Sequence, residues 1–325
     1  MNFRDYDFSI EDCSVLPESR KRLSAYREFR TKCLERLSGN ESTAVSQQLQ
    51  DLSWHTMVFY SLNETRRLEG RRLVNGALLE LVGAGYANLM AVGIRRLVDT
   101  HGAATSLATI LKDIQAHPEF FTRELFVAFD GVPYDYSTAY EEHVKKVIAG
   151  GQGASFGWQK TKGPAAWGTS ETMHRAFDKL SGVAPDQRRR SDTIPPYVFE
   201  NVRQALSEPS ILLVKTFTDK VVAHAERLAQ GQDVAVPSFN DVDDALRILT
   251  HVANFMASFF WHGIGSIVPT PQFDVFKDLD KGWALSESLP KLHDYWHDRK
   301  NQIDAWVMDD ERDFLKAPAV NPMSK

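Results

Sequence analysis

I-L-L-V-K-T-F-T-D-K-V-V-A-H-A-E-R-L-A, residues 211–229, is the stretch whose reading decides how this chain folds. Advancing about 100° per residue, Ile211, Val214, Phe217, Val221, Ala225 and Leu228 fall on one stripe, the pattern of a helix with a buried face. Pro209 breaks the preceding segment and Ser210 supplies an N-cap for this one. Thr218 flanks the stripe, and Asp219 pairs by spacing with Lys215 on the far side. His224 lies at the opposite border, one turn after Lys220. A border imidazole is partly desolvated yet reachable, so its pKa is easily moved across neutrality, as general acid–base work requires. The alternative is that His224 only hydrogen-bonds a neighbouring helix.

Outward from this stretch, spacings of three and four dominate. Helices are expected over 20–37, 47–67, 71–98, 197–206, from Ser238 through Phe259, and over about 286–307. The 71–98 helix carries Val74, Leu78, Leu81, Val82, Leu89, Val92 and Leu97 with glycines and alanines between them, which lets neighbouring helices approach closely. Alternating strand patterns are scarce. From 118 to 196 the texture changes to A-G-G-Q-G-A-S-F-G-W (149–158), K-G-P, S-G-V-A-P and I-P-P, with short helices expected over 137–149 and 170–180. This segment has too few apolar residues for a core of its own and reads as an insertion. Its Arg188-Arg189-Arg190 run reads as a solvated loop. The fold expected is therefore all-α, a single domain over 1–325: a helical bundle core at about 50–112 and 197–263, the loop-rich insertion at about 118–196, and a C-terminal extension at about 266–325.

At 325 residues the chain needs no metal or disulfide staple to build a core, and two cysteines, Cys13 and Cys33, make neither a disulfide framework nor a zinc site. The opening residues are acidic and lack the order of a secretory signal, so a cytoplasmic location is expected. The longest apolar stretch, 252–261, is about half the roughly 20 residues of a spanning helix, so no membrane contact is expected. A net charge of −5 provides no global pull toward nucleic acid, and phosphate binding would have to come from a local patch. No Walker loop, dinucleotide fingerprint or serine elbow occurs, and no cofactor or metal is expected. His293 and His297 have a spacing zinc can use, but the glutamate of a metalloprotease motif is missing and a solvated helix face is the reading taken. Trp158, Trp167 and the intervening K-T-K pin a loop or stack bases beside positive charge.

A second charged constellation, R-R-L-V-D at 95–99, closes the 71–98 helix just before a Thr/Ser-started one. In an antiparallel bundle this end approaches the 211–229 helix and brings Arg95 or Arg96 as a donor suited to bidentate phosphate or carboxylate recognition. The alternative is a structural salt bridge from Arg96 to Asp99 or Asp219. Together, R-R-L-V-D and T-D-K-V-V-A-H (218–224) resemble the paired motifs of the HEPN superfamily, in the branch associated with abortive-infection proteins. The resemblance covers about 50–112 and 197–263, and Thr218 stands where the family pattern has arginine. It implies a HEPN-like antiparallel bundle, usually dimeric, and a metal-independent endoribonuclease or an RNA- or nucleotide-binding protein in a prokaryotic defence or toxin–antitoxin setting. It further implies His224 and Asp219 as catalytic residues, with Lys215, Lys220, Arg95, Arg96 and Thr218 as the binding set, and a homodimer, RNA or a nucleotide, and an antitoxin-like protein as partners. The second reading is a helical interaction or scaffold protein that keeps the dimer fold without the activity.

Overall fold

The computed structural model describes residues 3–69, 76–149, 160–223, 234–277, 279, 285–308 and 314–315. Within them the chain is all-helical, and the sole β-type pairing is an isolated antiparallel bridge between Thr122 and Thr193. The helices are α1 (Arg20–Ser38), α2 (Val45–Leu68), α3 (Gly76–Leu97), α4 (Leu107–Ala116), α5 (Arg123–Ala128), α6 (Tyr136–Ala149), α7 (Trp167–Ser181), α8 (Pro196–Ala205), α9 (Pro209–Phe217), α10 (Phe239–Ser258) and α11 (Leu289–Ala305). No helix among the described residues is long and apolar enough to cross a membrane.

Local chemistry sets the boundaries. Ser106 caps α4 by accepting from the Thr109 N–H while Thr109 Oγ1 accepts from the Ser106 N–H, and Ser238 and Asp241 repeat this reciprocal arrangement on α10. Pro196 and Pro209 open α8 and α9, where a missing N–H costs nothing. Gly182, at φ +70°, stops α7 in the left-handed conformation that glycine adopts without strain.

The bundle forms around α2, α3, α9 and α10, with α11 laid against α2. Helices α2 and α3 run antiparallel, since Leu52 meets Gly93 at one end and Phe59 stacks on Tyr86, with ring centroids 3.9 Å apart, at the other. A Cβ on Gly93 would come within 2.4 Å of Leu52 Cδ2, so this glycine is what the close approach requires. Gly83 and Gly85, by contrast, face open space. Met90, Ile94, Ile211, Val214, Leu249, Val252 and Met256 are buried in the centre. Residues 71–75 of the expected third helix lie outside the described residues.

The insertion contributes α5, α6 and α7, and its Phe120, Phe121, Leu125, Phe126, Met173 and Phe177 join the same buried cluster as the bundle. Phe121 alone touches the rings of Phe199, Phe259 and Phe260. The 149–158 stretch, with Trp158, lies outside the described residues apart from Ala149, whereas Trp167 packs edge-on against Tyr140. The basic run departs from the solvated loop expected of it. Arg188 pairs with Asp178 at 2.5 Å, Arg190 pairs with Glu124 at 2.9 Å and covers the Tyr134 ring, and only Arg189 faces solvent without an ion pair to a described residue. Desolvating the two carboxylates requires cations nearby, and the run provides them.

Two histidines make the fold sensitive to acid. His174 is buried, with Nε2 2.8 Å from the Tyr134 carbonyl oxygen, and His262 sits edge-on to Phe3. Burial holds both below the ordinary histidine pKa, with Arg30 adding to the effect at His262. The unfolded chain therefore takes up protons first. The stability involved is complete above about pH 6.5 and is lost as pH falls below it, by at most about 1.4 kcal/mol per pH unit per histidine. The urea midpoint is expected to drop between pH 7.5 and 5.5 and to flatten in His174→Gln/His262→Gln; an equal drop in that variant would assign the dependence elsewhere.

Candidate functional site

The last turn of α3 and the end of α9 converge. Arg95 Nε donates to Asp219 Oδ1 at 3.0 Å, joining residues 124 apart in sequence. Lys215 Nζ takes the other oxygen of Asp219 at 2.7 Å, one helical turn away, as the spacing predicts. Arg95 also pairs through Nη1 with Asp99, whose Oδ1 accepts from the His101 backbone N–H at 3.0 Å. Two guanidinium or ammonium groups and two carboxylates thus close into a half-buried network of zero net charge. Nη2 of Arg95 has no bond to a described residue and remains available to a ligand.

The carboxyl of Asp219 feels opposing influences. Burial pushes its pKa up, but hydrogen bonds from Lys215 and Arg95 outweigh burial and hold it below the ordinary aspartate value. Both oxygens carry a cationic donor, so Asp219 is a weak proton acceptor and a strong anchor for Arg95. At Asp99 the His101 N–H is the largest influence and, with Arg95, likewise keeps the acid ionised.

After Phe217 the backbone leaves the α ladder. Residues Thr218–Val222 form a π turn in which the Ala223 N–H donates to the Thr218 carbonyl at 2.8 Å, a five-residue step. Such turns insert extra residues into a helix and rotate everything beyond them. Thr218 Oγ1 adds a bond back to the Val214 carbonyl at 2.8 Å, which also perturbs a helix. The rotation changes the stripe read from 3.6-residue spacing. Thr218, expected on the flank, is 2% exposed, while Val221, expected inside, is 40% exposed. Thr218 therefore faces the core with its hydroxyl already used, and it is not positioned to touch a phosphate. Lys220 is half-buried and forms no ion pair with a described residue.

The two arginines point apart, as adjacent helical positions must. Arg95, not Arg96, enters the network. Arg96 is exposed on a separate cleft between α2 and α3. His224, together with Ala225 and Leu228, lies outside the described residues.

Beside Lys215 runs a groove of about 350 Å3 with an apolar floor that includes Val98, Leu111 and Leu206, and with Lys112, Arg203 and Lys215 along it. Lys112 and Arg203 escape sequence reasoning because each sits on an ordinary polar helix face, and only tertiary packing aligns them with Lys215. Among the described residues no three His, Cys, Asp or Glu side chains gather as metal ligands would. Comparison with protein-family models, curated proteins and solved structures finds no match to this chain.

Proposed function

We propose that this chain is a HEPN-like protein of a prokaryotic defence or toxin–antitoxin kind that binds RNA or a nucleotide where the last turn of α3 meets the π turn, and that it cleaves RNA without a metal. The observation that carries this reading is the Arg95–Asp219 bond, because it brings R-R-L-V-D and T-D-K-V-V-A-H into one place. In this mechanism His224 moves the proton between ribose and phosphate oxygens. The free Nη2 edge of Arg95 meets the charge that builds on phosphorus, and Lys220 holds a flanking phosphate. Asp219 and Lys215 keep Arg95 in position. A second copy of the chain completes the cleft, and an antitoxin-like protein covers it.

One observation favours the second reading, a non-catalytic interaction or scaffold protein: Thr218 occupies the arginine position and turns inward. Incubating mixed RNA in EDTA with the wild type and with His224→Ala separates the two. Cleavage by the wild type, reduced roughly 100-fold or more in the variant, is the expected outcome. Equal cleavage by both, or none by either, removes the enzymatic reading. Light scattering on the same samples is expected to give a dimer, and a monomer would count against a composite cleft.

A further inference from the structure

On the other side of α3 from the Asp219 network, α2 and α3 diverge into a cleft of about 480 Å3. Asp51 of α2 and Arg96 of α3 both line it, both are exposed, and neither forms an ion pair with the other or with any other described residue. Opposite charges that share a cleft and stay apart leave two separate, solvated poles. Between them Leu52, Leu89 and Val92 supply an aliphatic wall, and Leu89 is one of the large apolar side chains this fold leaves in water. His55 lines the same wall half-buried, its Nδ1 enclosed and without a partner, so the protein does not fix the ring's tautomer and a ligand can.

The net charge of this lining is zero, one cation against one anion with the imidazole neutral. A dianionic phosphate would meet Arg96 but be repelled by Asp51. A molecule carrying a carboxylate and an ammonium meets both, and an aliphatic side chain covers the exposed leucine. From this juxtaposition we infer that the α2–α3 cleft is a binding site for an aliphatic zwitterion, a free amino acid such as leucine or a short aliphatic peptide, with Arg96 on the carboxylate and Asp51 on the ammonium. The inference is independent of the RNA reading, since it uses no group of the Asp219 network.

Calorimetric titration of the full chain tests it with L-leucine, leucyl-leucine, N-acetyl-leucine, isopentylamine and AMP. Leucine or the dipeptide is expected to bind, and which of them binds tighter sets the ligand length. N-acetyl-leucine, lacking the ammonium, and isopentylamine, lacking the carboxylate, are expected to bind at least tenfold more weakly. Asp51→Asn is expected to weaken the zwitterion at least tenfold while leaving N-acetyl-leucine unchanged, and Arg96→Gln to do the same with isopentylamine unchanged. Both side chains are exposed, so unchanged circular dichroism and melting accompany these losses. Absence of binding by both zwitterions, equal binding of the truncated analogues, or tighter binding of AMP would overturn the assignment.

Discussion

Thr218→Arg unfolds this protein in place of arming it. The HEPN resemblance implies the opposite, that restoring arginine at this position would create or raise cleavage. The position is 2% exposed, and its hydroxyl already donates to the Val214 carbonyl at 2.8 Å. An arginine there needs both space and a counter-charge. The neighbouring carboxylate, Asp219, has Arg95 on one oxygen and Lys215 on the other, so a third cation finds no vacant acceptor. Burying an uncompensated charge in a packed core typically costs 3–5 kcal/mol, with the added volume costing about 1–3 kcal/mol more. The urea midpoint is expected to fall by an amount corresponding to at least about 4 kcal/mol, with no gain in RNA cleavage. Thr218→Val, which removes only the hydroxyl bond, should lose about 1 kcal/mol. A Thr218→Arg protein as stable as wild type and faster on RNA would mean that the π turn can rotate outward, and would reverse the inward assignment of this residue.

The comparison of sequence with fold turns on the same few residues. Helix-forming stretches were legible because apolar spacing is a local property, and so were the Ser106 and Ser238 caps and the Lys215–Asp219 pair, whose partners lie within one turn of each other. The π turn was not, since an apolar stripe drawn at a constant 3.6 residues per turn cannot register an insertion in the hydrogen-bond ladder. That single step exchanged the environments of Thr218 and Val221. Choosing between Arg95 and Arg96 required the rotation of α3 about its axis, which packing against α2 and α9 fixes. The arginine run at 188–190 was misread for a related reason: the partner of Arg190 is Glu124, 66 residues away, so nothing in the local sequence marks the run as structural. Helix α5, at six residues, is too short for any periodicity to declare itself. The cleft holding Asp51 and Arg96 belongs to the same class, because each residue alone is an ordinary exposed charge.

Arg123→Met is expected to cost 3–5 kcal/mol, the usual range for removing one partner of a buried ion pair. The guanidinium is 0% exposed; it donates to Asp178 Oδ1 and to Asp192 Oδ2, each at 2.7 Å, and to the His174 carbonyl at 3.2 Å. Burial raises the pKa of Asp178, but hydrogen bonds from Arg188 and Arg123 outweigh it, so the acid titrates below the ordinary aspartate value. Its contribution is present above about pH 4 and is lost as pH falls through the lowered native value. When Arg123 is removed, Asp178 keeps Arg188, while Asp192 keeps only the Arg189 backbone N–H and has no cation left among its hydrogen bonds. Asp192→Leu in the same chain should therefore recover part of the loss, a coupling of about 1 kcal/mol or more in the double-mutant cycle. The location decides what else changes. The Arg123 N–H donates to the Asp192 carbonyl, the Glu124 N–H to that of Arg190, and the Ile194 N–H to that of Phe121, so the network fastens the entry of the insertion to its exit. Loss of Arg123 should open that fastening before the bundle itself melts, and limited proteolysis is expected to cut within 118–196 well before α2, α3 or α10 is attacked. Cleavage distributed evenly along the chain, or a loss under about 1 kcal/mol, would show that Phe121 and its aromatic neighbours, not the buried charges, hold the insertion on the bundle.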